Sequence, residues 1–137
     1  MTFLSLIFGW WIYKPYSKFI SLVLKIKGIK VGSNFYIQGS PYLKIRGNPH
    51  NIIIDENVSI NGNIDLRNRE NGKIIISKDV TIDTNSRFVA ANNATLNIGK
   101  GCKLGSYLIF NCGEDITVGE DCIFGGFCYF QSSNHGI

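Results

Sequence analysis

The chain has 137 residues and carries 14 lysines and arginines against 10 aspartates and glutamates, a net charge of +4. This length accommodates one small domain and leaves little room for a second. Its 15 glycines, 14 asparagines and 21 isoleucines stand beside only 9 leucines and 3 alanines, a mixture of turn formers and β-branched residues that argues against a helical bundle. With 45% hydrophobic and 18% charged residues, the composition also excludes a disordered tail. We therefore expect a mostly β protein.

The charge is unevenly distributed along the chain. Residues 1–30 hold five lysines and no acidic residue, whereas residues 31–137 hold nine basic and ten acidic residues. Nucleic-acid-binding proteins spread lysines and arginines over a face or groove with aromatic residues between them, and residues 31–137 show no such excess. We therefore expect no nucleic-acid partner. Because no convincing signal peptide is present, the four cysteines are expected to be thiols without disulfide bonds in a cytoplasmic protein.

The first thirty residues predict an amphipathic helical segment. Phe3–Tyr13 is almost wholly apolar, but Lys14 and Pro15 interrupt the run before it reaches the roughly 20 residues that span a bilayer. Apolar residues then recur at helical spacing with lysines between them, which predicts one or two helical pieces that end at Gly28. The segment also contains four closely spaced aromatic residues, Trp10, Trp11, Tyr13 and Tyr16.

Two interpretations of residues 1–30 remain open at this point. Aromatic residues beside an all-lysine charge set are typical of a helix that lies in a membrane interface. Such a helix would place the protein at the inner face of the membrane, as a peripheral contact. The other interpretation is a helix that covers the open end or side of a β-structure, since an exposed solenoid end needs a cover.

The remainder of the chain has an internal repeat of six residues, here called the hexad. Apolar residues stand six positions apart in five triplets: Val31, Ile37, Leu43; Ile54, Ile60, Leu66; Ile76, Ile82, Phe88; Ile98, Leu104, Phe110; Val118, Phe124, Phe130. The triplets start 23, 22, 22 and 20 residues apart, so each unit consists of three hexads plus a few extra residues at one corner. The extra stretches contain turn residues, as in Gly47–Asn51.

The hexads predict short strands that alternate with turns. The position four beyond the leading residue is often small or apolar, as in Val58, Val80, Cys102 and Cys122, and the residues between are polar. Two inward positions per six residues do not fit an amphipathic helix, whose apolar face recurs every three to four residues. Three such sides form a triangular coil, and successive coils stack about 4.8 Å apart. The sequence therefore predicts about five coils over residues 31–137.

Two stretches carry a resemblance to a known family. Ile98-Gly99-Lys100-Gly101-Cys102 and Val118-Gly119-Glu120-Asp121-Cys122 resemble the hexapeptide-repeat proteins, whose pattern is an aliphatic residue, often glycine or an acid, two variable residues, a small residue and another variable one. The resemblance covers residues 31–137 and implies a left-handed parallel β-helix. The handedness comes from the resemblance alone, because the general crossover rule favours the right hand.

The repeat also accounts for the four cysteines. Cys102 and Cys122 occupy equivalent inward positions on adjacent coils, whereas Cys112 and Cys128 fall on other sides. A zinc site with four sulfur ligands is therefore not expected, and neither is any other metal. We predict that the cysteines are small buried hydrophobic residues.

The two histidines differ in context. His50 lies in a corner stretch and is predicted to be a solvated turn residue. His135 lies in Ser132-Ser133-Asn134-His135-Gly136, which resembles the Ser-Ser-Asn/Asp-His-Gly stretch of sugar O-acetyltransferases in capsule, exopolysaccharide and O-antigen synthesis. The resemblance implies that His135 is the general base, a role that suits imidazole near neutral pH. The alternative is a turn histidine near the chain end.

Further candidate site residues are all polar. The Gly136 N–H and Asn134 are available to stabilise a tetrahedral intermediate. Three side chains are candidates for the wall of the acceptor pocket, and each could equally be a turn residue: Asn111, Ser132 and Asn134.

The resemblance implies an acetyl-CoA-dependent O-acetyltransferase that acts on a sugar hydroxyl in cell-surface polysaccharide biosynthesis. It further implies a homotrimer with the active site at a subunit junction. Those enzymes continue past the histidine with coils that hold the coenzyme, so we expect this sequence to be incomplete at its C-terminus. The alternative function is a non-catalytic β-helix that oligomerises or acts as a scaffold. A zinc hydratase of the same fold uses three histidines, and this chain has only two, so we do not expect that function.

Overall fold

The computed structural model describes the backbone of residues 3–132 and the side chains of residues 11–132. One helix, α1 (Phe3–Ile26), precedes fifteen short strands. The strands are β1 (Lys30–Val31), β2 (Tyr36–Ile37), β3 (Pro41–Ile45), β4 (Ile52–Ile54), β5 (Ser59–Asn61), β6 (Ile64–Asn68), β7 (Lys73–Ile76), β8 (Thr81–Asp83), β9 (Ser86–Ala90), β10 (Thr95–Ile98), β11 (Lys103–Leu104), β12 (Ile109–Cys112), β13 (Ile116–Val118), β14 (Ile123–Phe124) and β15 (Tyr129–Ser132). A 3₁₀ turn at Pro49–Asn51 precedes β4.

The strands form three parallel sheets of five strands, in which every third strand of the chain pairs. The first side is β1-β4-β7-β10-β13, and the second side contains β2, β5, β8, β11 and β14. The third side contains β3, β6, β9, β12 and β15. The chain visits each side once per turn, so the protein is a parallel β-solenoid of about five coils preceded by a helix. The prediction of an all-β parallel solenoid of about five coils with an N-terminal helix is confirmed.

The fifteen predicted hexad positions align in three columns. The columns are Val31, Ile54, Ile76, Ile98, Val118 on the first side, Ile37, Ile60, Ile82, Leu104, Phe124 on the second, and Leu43, Leu66, Phe88, Phe110, Phe130 on the third. Phe110 packs edge-on against Phe88, with ring centroids 5.4 Å apart, and stacks on Phe130 at 4.8 Å. Burial of these columns is the main apolar contribution to folding.

The corner between the first and second sides explains the asparagines and aspartates of the repeat. The residue three positions after each leading residue has a positive φ in every coil: Asn34, Asn57, Asp79, Gly101 and Asp121. Asparagine, aspartate and glycine are the residues that tolerate this left-handed conformation. The amide of Asn34 also donates a 2.6 Å hydrogen bond to Oδ1 of Asn57 in the next coil, so the corner is tied along the solenoid.

Helix α1 covers the first coil. Ile20 and Leu24 are buried in the same core as the columns. Ser17 Oγ accepts a 2.8 Å hydrogen bond from the Ile37 N–H and donates to the Ile37 carbonyl at 3.1 Å. These bonds satisfy the outer edge of β2, where the second side begins, and an unpaired strand edge is otherwise a site of aggregation. One face of α1 therefore covers the open end of the solenoid, as the second interpretation of residues 1–30 predicts.

The helix runs through Pro15 as a single element and ends where the sequence predicts. Gly28 has a φ of +96°, its N–H bonds the Lys25 carbonyl at 3.0 Å, and the Ile29 N–H bonds the Leu24 carbonyl at 3.0 Å. This pair of bonds is the Schellman motif, in which a left-handed glycine terminates a helix. Among the residues that the structure describes, no helix is long and apolar enough to cross a bilayer.

Replacing a column residue by a charge should prevent folding. Ile76 is completely buried, so Ile76→Asp forfeits about 1.5–3 kcal/mol of apolar burial and adds an unpaired buried charge. The matched control is Ile123→Asp, because the Ile123 side chain is 76% exposed. We expect circular dichroism to show loss of the cooperative thermal transition for Ile76→Asp and an almost unchanged transition for Ile123→Asp. Equal melting temperatures for the two variants would contradict the assigned register.

Candidate functional site

The outer face of the third side gathers the arginines of the chain. Strand pairing places one outward row at Tyr42, Asp65, Arg87, Ile109 and Tyr129. The neighbouring outward row consists of Lys44, Arg67, Val89, Asn111 and Gln131. Arg46 and Arg69 directly follow β3 and β6. All four arginines of the sequence therefore lie on this one side of the solenoid.

These side chains line a groove of about 340 Å³, here called the arginine groove. Five of its ten lining residues are basic and none is acidic: Lys44, Arg46, Arg67, Arg69 and Arg87. The rest of the lining includes an apolar and aromatic strip of Val89, Ile109 and Tyr129, together with the Asn111 amide. A concave surface with apolar walls and a few convergent polar groups is the usual form of a ligand site.

Asp65 holds two of the guanidinium groups in place. Arg67 donates from Nε and a terminal nitrogen to the two carboxylate oxygens of Asp65, both at 2.9 Å. Arg87 Nε donates to Asp65 Oδ2 at 3.2 Å. The hydrogen bond to Asp65 raises the pKa of Arg67 above its ordinary value. Because one carboxylate serves two guanidinium groups, the cluster keeps a net positive charge.

The far end of the groove is polar and aromatic. The Asn111 amide donates to the Tyr129 hydroxyl at 3.4 Å, and that hydroxyl donates to Gln131 Oε1 at 2.9 Å. Asn111, which the sequence suggests for the acceptor pocket, therefore lies in the wall of this groove.

Ser132 lies on the opposite face of the same sheet. It pairs with Cys112, which pairs with Ala90, so all three belong to an inward column. Its hydroxyl bonds the Glu114 carbonyl and accepts from the Glu114 N–H at 3.4 Å. The structure therefore does not bring Ser132 and Asn111 together, because neighbouring residues of a strand face opposite sides of the sheet. Asn134 and His135 lie outside the described residues.

His50 is the other histidine, and it lies in the 3₁₀ turn before β4. Its side chain is exposed, and its N–H donates to Oδ1 of Asn48 at 2.9 Å. The predicted turn role of His50 is confirmed.

The cysteines follow the solenoid core. Cys102 and Cys112 are fully buried, and Cys122 and Cys128 are half-buried. Cys102 Sγ donates to the Gly119 carbonyl at 3.0 Å. Burial raises the pKa of both buried thiols above the ordinary value of 9.0, that of Cys112 to about 11. Within the described part of the chain, no three histidine, cysteine or acidic residues are grouped as a metal ion would require.

The buried thiols should resist alkylation in the native protein. A pKa of about 11 leaves little reactive thiolate on Cys112 near pH 8, and burial blocks access to it. We expect iodoacetamide to modify Cys122 and Cys128 well before Cys102 and Cys112, as measured by mass spectrometry of peptides from briefly treated protein. Protein unfolded in guanidinium is the control, in which all four should react at similar rates. Native Cys112 that reacts as fast as Cys128 would disprove the assigned burial.

Sequence reasoning missed the arginine groove, although the signal was available. Arg67 follows the column residue Leu66, and Arg87 precedes the column residue Phe88. Neighbours of an inward strand residue face outward, so the repeat already places both on the same outer face. The near-neutral total charge of residues 31–137 concealed the cluster, because many of the acidic residues lie at corners, as Asp79 and Asp121 do.

Compared with models of known protein families, with curated proteins and with solved structures, the chain shows no significant similarity.

Proposed function

We propose that the chain is an acetyl-CoA-dependent O-acetyltransferase that acts on a sugar hydroxyl in cell-surface polysaccharide biosynthesis. In this proposal the solenoid is the left-handed β-helix of the hexapeptide-repeat acyltransferases. The observation that carries it is the hexad register, kept on all three sides through five coils. The Ser-Ser-Asn-His-Gly stretch begins at the last residue of β15 and supplies the chemistry.

The proposed reaction needs one base and one donor to an oxyanion. His135 takes the proton of the sugar hydroxyl, whose oxygen attacks the thioester carbonyl of acetyl-CoA. The Asn134 amide or the Gly136 N–H donates to the oxyanion of the tetrahedral intermediate. The carbon–sulfur bond then breaks, and the proton passes from imidazole to the thiolate. The products are the O-acetyl sugar and CoA.

Exposed aromatic residues support the homotrimer of this proposal. Tyr107 and Phe127 stack at successive coils with ring centroids 5.0 Å apart, and Phe127 is 81% exposed. Both have a φ of +60°, whereas the preceding coil has Asn85 at this corner. A left-handed conformation costs a bulky residue roughly 1–2 kcal/mol, which the exposed stack of the two rings offsets only in part. We propose that a neighbouring copy of the chain covers them.

Removing the proposed base should abolish acetyl transfer. We expect His135→Ala to lower the rate by about 100- to 10,000-fold, the usual contribution of a general base. His50→Ala is the matched control and should retain full activity, because His50 is an exposed turn residue. The assay is chromatographic detection of CoA from acetyl-CoA with a panel of bacterial oligosaccharides, because the protein's own thiols would react with thiol reagents.

Two outcomes would contradict the proposal. Equal rates for His135→Ala and the unaltered protein would remove His135 as the base. Absence of any transfer by a folded trimer that binds acetyl-CoA, with light scattering as the measure of assembly and calorimetry as the measure of binding, would favour the alternative of a non-catalytic scaffold.

We further propose that α1 contacts an anionic membrane, at the cytoplasmic face where lipid-linked sugars would be met. The helix face opposite the solenoid is apolar and exposed, with Trp11, Ile12, Phe19, Leu22 and Ile26 each more than half exposed. A basic row of Lys14, Lys18 and Lys25 lies beside it and lines a groove of about 410 Å³ against the first coil. An apolar face flanked by lysines is the form of a helix that lies in a membrane interface.

Replacing apolar residues on the exposed face of α1 by serine should release the protein from vesicles. We expect the unaltered chain to float with vesicles that contain phosphatidylglycerol, and Phe19→Ser with Leu22→Ser to abolish flotation. Lys18→Gln with Lys25→Gln should weaken it by about 1 kcal/mol per lysine. Ile123→Ser is the control, since it removes an exposed apolar residue at another place. Flotation that is unchanged in the Phe19/Leu22 variant would refute membrane contact through α1.

A further inference from the structure

We infer that the arginine groove binds an acidic saccharide, that is, a sugar chain that carries carboxylate or phosphate groups. The inference begins from charge. The groove has five basic lining residues and no acidic one, although residues 31–137 as a whole are nearly neutral. A concave surface of one charge sign concentrates ligands of the opposite sign.

The guanidinium groups are arranged to bind oxyanions. Asp65 and the ring of Tyr42, whose centroid lies 5.3 Å from the Arg67 guanidinium carbon, fix the position of Arg67. Arg87 bonds Asp65 only through Nε, and its two terminal amino groups make no hydrogen bond to another described residue. Arg69 is 64% exposed and has only a loose ion pair with Glu70, at 3.7 Å. Guanidinium groups with spare N–H donors, two of them held in place by Asp65, favour bidentate binding of carboxylate or phosphate.

The remaining lining favours a sugar over a bare anion. Val89, Ile109 and Tyr129 form an apolar strip next to the arginines, and the Asn111 amide and Tyr129 hydroxyl lie at its end. A sugar ring offers an apolar C–H face for such a strip and hydroxyl groups for such donors and acceptors. A free phosphate ion would use none of these groups.

The length of the groove favours a chain of sugars. Its lining residues come from all five coils, from Lys44 and Arg46 at the first to Tyr129 at the fifth. Coils stack about 4.8 Å apart, so the groove extends over roughly 20 Å. This length suits an oligosaccharide better than a monosaccharide. That the bound saccharide is also the acetyl acceptor rests on the proposed function, whereas the binding itself does not.

Calorimetry with the full chain tests the inference without any turnover. We expect oligogalacturonate to bind and a neutral malto-oligosaccharide of equal length not to bind. Glucose 6-phosphate and inorganic phosphate form the second pair of probes, and the sugar phosphate should bind more tightly than phosphate. Failure of binding would overturn this inference and leave the acetyltransferase proposal standing, and loss of transfer with intact binding would do the reverse.

Variants separate the groove from general charge attraction. We expect Arg69→Gln with Arg87→Gln to weaken oligogalacturonate binding by about 100-fold, roughly tenfold for each charge-assisted contact. The control, Lys100→Gln with Lys103→Gln, removes the same charge from exposed positions outside the groove and should bind normally. Tyr129→Ala should weaken the binding of oligogalacturonate but not the binding of inorganic phosphate.

Four results would overturn the inference. These are equal binding of the neutral saccharide, inorganic phosphate binding as tightly as its sugar ester, an equal loss in the lysine control, and tighter binding of a single-stranded oligonucleotide than of oligogalacturonate. The last result would assign the groove to nucleic acid instead.

Discussion

The structure depends on hydrogen bonds between coils. Each short strand pairs with the equivalent strand of a neighbouring coil, and corners follow the same rule, as when the Asn57 N–H bonds the Ser33 carbonyl. A coil therefore has no stability by itself, and a residue that changes register in one coil misaligns its column in every neighbour. This constraint places apolar residues at most inward positions, and it leaves the end of the stack with an unpaired strand edge. Helix α1 covers this edge at the first coil, where the Ser17 hydroxyl hydrogen-bonds to both the N–H and the carbonyl of Ile37.

The same constraint leaves the outward side chains largely free for function. Because the inward columns and corner asparagines determine the fold, an outward residue such as Arg87 or Asn111 can vary without loss of register. Parallel pairing then stacks outward residues of successive coils above one another, so residues about 22 positions apart become neighbours on one surface. Tyr42, Asp65 and Arg87 are brought together in this way. A groove is thus formed on one side of the solenoid by residues that no local sequence motif connects.

The parts of the fold that recur were predictable, and the parts that combine distant residues were not. Fifteen column positions follow from spacing alone, because each is fixed by the same backbone geometry. The period-two alternation of strands also places Ser132 inward, two residues after Phe130, and not in the turn or the acceptor pocket that its polar side chain suggests. The sequence left two interpretations of the helix open because the helix has two apolar faces: Ile20 and Leu24 are buried against the solenoid, and Phe19 and Leu22 are exposed on the other face. Charge summed along the chain could not reveal a cluster that exists only after coiling.

The two basic surfaces differ in chemistry, and the difference is informative. Residues 1–30 carry five lysines and no arginine, whereas every arginine of the chain lies on the third side. Lysine presents a compact, hydrated charge on a flexible stem, which suits the mobile and diffuse charge of lipid headgroups. Arginine presents a planar fork that suits a carboxylate or phosphate held in one orientation. The ion pair with Asp65 also holds the Arg67 side chain in one position, whereas an exposed lysine side chain would remain mobile. The separation of the two residue types therefore supports the two proposals, a membrane surface at α1 and a shaped anionic ligand in the arginine groove.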